Sequence, residues 1–189
     1  ITVEQVKARF AAQADPWASF QPPAGYRNAA VLLLLSFQGD ECSLLFTRRT
    51  ETVQDHKGQV AFPGGGMEPQ DADLVETALR EAQEEIGLEC SAVQVIGRLQ
   101  PFPTISHFVI FPVVALFTGQ ERFVLSAEEV QRVFTIPLAW LARRENWTET
   151  PYLLRGDRLE QVIHYQDYDG EHLWGITARI VHHFLEFVQ

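Results

Sequence analysis

The sequence predicts an α/β fold, a mixed β-sheet flanked by helices, on three observations. A nearly continuous apolar run over residues 29–37, AAVLLLLSF, reads as a buried strand. Residues 74–86 and 176–188 fit helices, the first with an apolar stripe at the 3.6-residue period. Strands and helices are interspersed without a strict strand–helix–strand rhythm, which favours a mixed sheet with helices packed on its faces. The 189 residues, 46% of them hydrophobic, suffice for one sizeable core, so residues 1–189 are expected to form a single domain.

In chain order, Thr2 is followed three positions later by Gln5, a capping-box pattern that predicts an amphipathic helix over residues 2–14. The Pro- and aromatic-rich stretch DPWASFQPPAGYR links it to the apolar strand, and GDE at 39–41 turns that strand into a second one, CSLLFTRR, as a hairpin. Further strands are expected at 93–99, 108–117 and 133–136. Another pair, 161–165 with 171–173, is expected across the turn DYDG. A helix fits 137–143.

A net charge of −10 argues against a nucleic-acid-binding face, which needs clustered Lys and Arg. No apolar run reaches the ~18 residues of a membrane span, and no leader-like stretch opens the chain. A cytoplasmic protein with a small-molecule substrate is expected, its oligomeric state left open. Cys42 and Cys90 share no metal-ligand spacing and are expected to be buried, reduced thiols.

The stretch TALREAQEEIGLE concentrates chemistry. On a helix over 74–86, Val75, Ala78, Leu79, Ala82 and Ile86 form the core stripe, while Glu81, Glu84 and Glu85 fall in a separate sector roughly 100° wide. Gly87 then stops the helix. Like charges at these spacings cost about 0.2–0.5 kcal/mol per pair unless countered. They read either as a solvated acidic face or as hard oxygen ligands for Mg²⁺ or Mn²⁺. Upstream, Pro63 and the glycines Gly64, Gly65 and Gly66 let a ligand approach the main chain.

The stretch GGGMEPQDADLVETALREAQEEIGL, about residues 64–88, resembles the Nudix box. Gly66 takes its first position, and Arg80, Glu81, Glu84, Glu85, Gly87 and Leu88 its second half. The first Glu slot holds Ala72, between Asp71 and Asp73, and the first bulky apolar slot holds Ala82, which puts a carboxylate at that first slot in doubt. Before the box, Leu44, Leu45, Thr47, Arg48 and Arg49, then His56, Gly58, Gln59, Val60, Phe62, Pro63, Gly64 and Gly65, resemble the coenzyme A pyrophosphatase branch of Nudix hydrolases. PTISHFVIFPVV and LWGITARIV are similar to its downstream segments. The resemblance implies a Nudix α/β/α sandwich. It also implies a metal-dependent hydrolase that cuts coenzyme A or acyl-coenzyme A into phosphopantetheine and adenosine 3′,5′-bisphosphate.

Hydrolysing a diphosphate requires charge screening and an activated water, which Mg²⁺ or Mn²⁺ supplies. Glu81 and Glu85 are the first choice of ligands, with Glu84 completing the site or holding a metal-bound water, and any of the three could take the proton. Arg80, in another helix sector, is expected to orient the glutamates or the glycine loop. Glu128 and Glu129 are either an extra ligand or surface residues. Arg48, Arg49 and Lys57 match phosphate geometry and are candidates for the 3′-phosphate or the diphosphate, or are simply solvated. His56 bonds either its own loop or the ligand, and Phe102, Phe108 and Trp174 either stack on substrate or belong to the core. Two other functions stay open: hydrolysis of ADP-ribose or another nucleoside diphosphate derivative, and a silent nucleotide-binding sensor.

Overall fold

The computed structural model describes residues 1–39, 41–51, 58–119, 122–154 and 158–189. In chain order the elements are α1 (Val3–Ala11), β1 (Arg27–Gln38), β2 (Glu41–Arg49), β3 (Val60–Ala61), β4 (Gly64–Gly66), α2 (Leu74–Ile86), β5 (Val93–Arg98), β6 (Phe102–Pro103), β7 (Phe108–Phe117), β8 (Val130–Pro137), α3 (Leu138–Leu141), β9 (Trp147–Leu154), β10 (Arg158–Tyr165) and α4 (Gly175–Val188).

β1 runs parallel to β7 along one edge, and β5 continues the sheet antiparallel to β7. On its other edge β1 pairs with β2 only near their shared turn, from Leu35↔Leu44 to Gln38↔Glu41. Beyond that the two strands part. β4 pairs with β1 at residues 29–31 and β3 pairs with β2 at residues 47–48, so the chain from 60 to 66 fills the opening between them. β8 closes the far edge of β2.

Alternation along the strands splits the core into two layers, as period-two side chains require. Leu33, Leu35, Leu44 and Phe46 point to the face covered by α4 and α1, with Val181, Phe184, Val6 and Phe10. Ala30, Leu32, Leu34 and Leu45 point to the opposite face, with Ala78, Ala82 and Ile86 of α2. This is the expected mixed sheet with helices on both faces.

Three expectations need correction. The N-terminal helix keeps its capping box, with Gln5 N donating to Thr2 Oγ1 at 3.2 Å and Thr2 N to Gln5 Oε1 at 2.8 Å. It covers Val3–Ala11 instead of 2–14, because Val6 and Phe10 complete its buried face and Asp15 precedes a proline. Residues 161–165 do not pair with 171–173 as a ladder. β10 pairs instead with β9, and the two expected segments meet just at their near ends, through Tyr165 N donating to Leu173 O at 2.8 Å and the flanking bridges His164↔Trp174 and Tyr168↔Glu171. Pro151 disguised β9; a two-stranded ribbon tolerates it because one edge of each strand needs no N–H donor. Cys42 is buried and Cys90 exposed, both free.

Candidate active site

Helix α2 positions the candidate groups. Asp73 caps its start, accepting from Val75 N at 2.8 Å and Glu76 N at 2.9 Å, and Gly87 ends it in the left-handed region at φ 66°. Ala78, Ala82 and Ile86 seat it on the sheet, while Val75 and Leu79 stay half-buried at the margin. Glu85, off the apolar stripe, is nevertheless only 3% exposed. The spacing missed this because the cover comes from another part of the chain. β4 passes beside the helix, and Gly64 N donates to Glu85 Oε2 at 3.2 Å.

Glycine is required at Gly64, and at Gly65 its missing side chain leaves room for Glu81. A Cβ on Gly64 (φ 155°) would stand 2.7 Å from Val31 Cα, and one on Gly65 would stand 2.5 Å from Glu81 Cδ. The Glu81 carboxylate therefore lies directly against the Gly65 backbone.

Burial dominates the electrostatics of the cluster. Burial pushes the Glu85 carboxyl up to about 8, opposed by the Gly64 N–H and by Arg49, whose Nη1 is 3.5 Å from Oε1. Burial also raises Glu81, with Arg80 opposing. The charges of the other carboxylates, Glu129 among them, raise both a little further. Among the described residues no three His, Cys, Asp or Glu side chains converge into a closed cage. Glu81 and Glu84 are drawn to Arg80 Nη1 instead, at 2.9 and 3.1 Å. The donor set fits a hard divalent cation: a buried carboxylate with few donors, a second one beside it and a third at the rim are all oxygen ligands that repel one another when charged.

Arg80 is the hub. Besides both glutamates, Nη2 donates to Gly66 O at 3.0 Å, tying α2 to β4 as expected. Its main partner is Asp71, which the sequence reading passed over in favour of the empty slot at Ala72. Arg80 Nε and Nη2 grip the Asp71 carboxylate at 2.8 and 3.1 Å. Glu68 N and Thr77 Oγ1 complete the cradle, each at 2.9 Å. The Arg80 guanidinium holds this buried carboxyl well below the usual carboxylate range. The signal was present one residue before the slot.

Strand alternation separates the basic pair. Arg49 shares the face of Leu45 and reaches Glu85, whereas Arg48 points to the other face, where Nη1 lies 3.4 Å from buried Glu171. Arg132 Nη1 meets the same carboxylate at 3.1 Å. The Nε atoms of Arg48 and Arg49 are buried without a partner among the described residues. His56 and Lys57 lie outside the described residues. Of the aromatic candidates, Phe102 is buried against His183, Phe108 lies under the Arg27 guanidinium, and Trp174 is exposed and stacked on His164. A recess of about 510 Å³ opens on the other side of α2, lined by Asp71, Val75, Leu79, Arg80, Gln83 and Cys90. Its acidic members are committed to caps and to Arg80, so the Glu81–Glu85 cluster is the better candidate centre.

The Nudix domain family matches residues 25–156. The chain is 38% identical over 182 residues to the uncharacterized Nudix hydrolase NudL of Yersinia enterocolitica, covering 95% of this chain and 90% of that protein. It is 39% identical over 177 residues to NudL of Pectobacterium atrosepticum, covering 92% and 88%. Among solved structures, a MutT/nudix family protein from Enterococcus faecalis superposes with a TM-score of 0.57 at 15% identity, over 100% of this chain and 75% of that one. DR0079 from Deinococcus radiodurans gives 0.52 at 18% identity, over 86% and 88%. These structural likenesses concern the fold.

Proposed function

The chain belongs to the Nudix hydrolase family, and from that premise we propose that it hydrolyses the pyrophosphate linkage of coenzyme A and its acyl derivatives, releasing phosphopantetheine and adenosine 3′,5′-bisphosphate. The observation that carries a hydrolytic centre is the carboxylate cluster of α2 closed by β4: Glu85 buried under Gly64 N, and Glu81 against Gly65. The choice of coenzyme A rests on the sequence pattern of residues 44–65, whose described part contributes to β2, β3 and β4.

Glu81 and Glu85 would hold Mg²⁺ or Mn²⁺, with Glu84 at the rim. Such an ion, when bound, screens the diphosphate and makes water a nucleophile near neutral pH. The chain's own groups do the rest. Arg80 keeps Glu81 and Glu84 in place and ties them to Gly66. Gly64 and Gly65, lacking side chains, let Val31 and the Glu81 carboxylate close on the main chain, and the open space at Gly66 leaves the diphosphate an approach beside them. Arg49, beside Glu85, is placed to reach the diphosphate. One of the three glutamates accepts the proton of the attacking water.

The test is a substrate panel with Mg²⁺ or Mn²⁺: coenzyme A, acetyl-coenzyme A, ADP-ribose, NADH and diadenosine polyphosphates in competition. Coenzyme A compounds are expected to give the highest kcat/KM. A higher value for ADP-ribose or a dinucleotide would move the reading to another Nudix hydrolase, and no turnover of any substrate with measurable nucleotide binding would make it a sensor.

A further inference from the structure

The segment after β10 gathers a second group of metal-ligating side chains that the carboxylate cluster does not use. Past His164 the chain turns back through Asp169 (φ 52°) and Gly170 (φ 78°), and Tyr165 N donates to Leu173 O at 2.8 Å. This return sets His172 beside His164, with His164 Nδ1 3.4 Å from His172 Nε2. Asp167 Oδ1 lies 2.9 Å from His172 Nδ1. A carboxylate beside Nδ1 favours the imidazole tautomer that donates from Nδ1, and in that tautomer the Nε2 lone pair faces His164. The Trp174 ring stacks on His164 at 5.7 Å with 9° between planes, fixing that imidazole's orientation.

We propose that His164 Nδ1 and His172 Nε2 form a binding site for a borderline divalent transition metal, Zn²⁺ or Ni²⁺, with Asp167 as the carboxylate behind His172. Two nitrogens each 2.0–2.1 Å from a tetrahedral ion stand about 3.3–3.4 Å apart, which is the separation found here. A carboxylate on the far nitrogen fixes the tautomer and raises the basicity of a ligating imidazole. Among the described residues no third His, Cys, Asp or Glu joins the pair, so water completes the shell and the ion exchanges. Nitrogen donors select Zn²⁺ or Ni²⁺, whereas the all-oxygen cluster of α2 suits Mg²⁺ or Mn²⁺, so the two sites sort their ions. An ion held here would fasten β10 to the segment whose Glu171 anchors Arg48 and Arg132.

The experiment is a Zn²⁺ titration in excess Mg²⁺, which occupies the carboxylates, on the Cys90→Ser protein, because the exposed Cys90 thiol also takes Zn²⁺. Stoichiometry, imidazole ¹⁵N resonances and Tm are followed. One Zn²⁺ per chain is expected to move the resonances of His164 Nδ1 and His172 Nε2 and to raise Tm. All three effects should vanish in His164→Ala and in His172→Ala, and Asp167→Asn should weaken binding by roughly 10- to 100-fold. His172 and Asp167 are exposed, so these variants should fold, and circular dichroism checks that they do. Equal Zn²⁺ binding in the parent and both His→Ala proteins, or unmoved imidazole resonances at saturation, would overturn the site and leave a pair that only shares a proton.

Discussion

Glu85 is a carboxyl kept from water, and that ties metal, pH and stability together at one residue. In metal-free protein the fold retains a proton that the unfolded chain releases above about 4.5. This contribution is full below pH 4.5 and is lost as pH rises through about 8, at roughly 1.4 kcal/mol per pKa unit. Tm of the metal-free protein should therefore fall between pH 5 and 8. Glu85→Gln should flatten that slope, and saturating Mg²⁺ should flatten it in the wild type by binding the ionised form. The same variant keeps the side-chain shape and is expected to lower turnover by about two orders of magnitude or more; steady-state rates at pH 7.5 check this. At Asp71 the expectation is opposite in kind. Asp71→Asn removes the charge of Arg80's main partner while Glu81, Glu84 and Gly66 O remain, which should cost about 1–3 kcal/mol by chemical denaturation. Ala72→Glu in that background should recover part of the loss if the neighbouring position can serve the same guanidinium, and none if the Glu68 and Thr77 contacts are what matter. The slot itself holds Ala72, and the carboxylate that grips Arg80 comes from Asp71, one residue earlier. Which of two neighbouring acids bends back under Arg80 depends on the loop over 66–73, not on spacing.

At the scale of elements, α2 was legible from residue to residue because its apolar period and Gly87 stop agree. The burial of Glu85 was not, because it is imposed by β4, a three-residue strand of glycines with no pattern of its own. β9 escaped for a related reason: its proline argues against a strand locally, and only the partner β10 makes it one. The glycine strand gives a paired expectation. Gly65→Ala meets only the end of the flexible Glu81 side chain, so Tm should change little while kcat falls as that carboxylate is displaced. Gly64→Ala meets the backbone of Ala30 and Val31 at a φ that L side chains rarely adopt, and should destabilise the fold by about 1–3 kcal/mol or more. Thermal melts beside steady-state kinetics separate the two. Equal losses of stability would mean that β4 tolerates neither Cβ and that the Glu81 contact plays no special part.

Across the whole molecule, the sheet sorts groups that are neighbours in sequence. Arg48 and Arg49 look like one basic patch in the chain, but the sheet lies between them, with Arg49 on the carboxylate side and Arg48 on the side of α4. A contact to the 3′-phosphate is worth about 1.5–3 kcal/mol, so the arginine that makes it should prefer coenzyme A over dephospho-coenzyme A by roughly 10- to 150-fold. Arg49→Ala is expected to weaken both substrates alike, by its place beside Glu85. If Arg48 reads the 3′-phosphate, Arg48→Ala should weaken coenzyme A alone, and kcat/KM for the pair decides. One measurement bears on the proposed chemistry as a whole: mass analysis of the products formed from coenzyme A with Mg²⁺, with chelator, and with Glu85→Gln. The expected result is phosphopantetheine and adenosine 3′,5′-bisphosphate in equal amounts with Mg²⁺, and neither in the other two reactions. Release of inorganic phosphate, products formed equally in chelator, or intact coenzyme A after prolonged incubation with metal would contradict it.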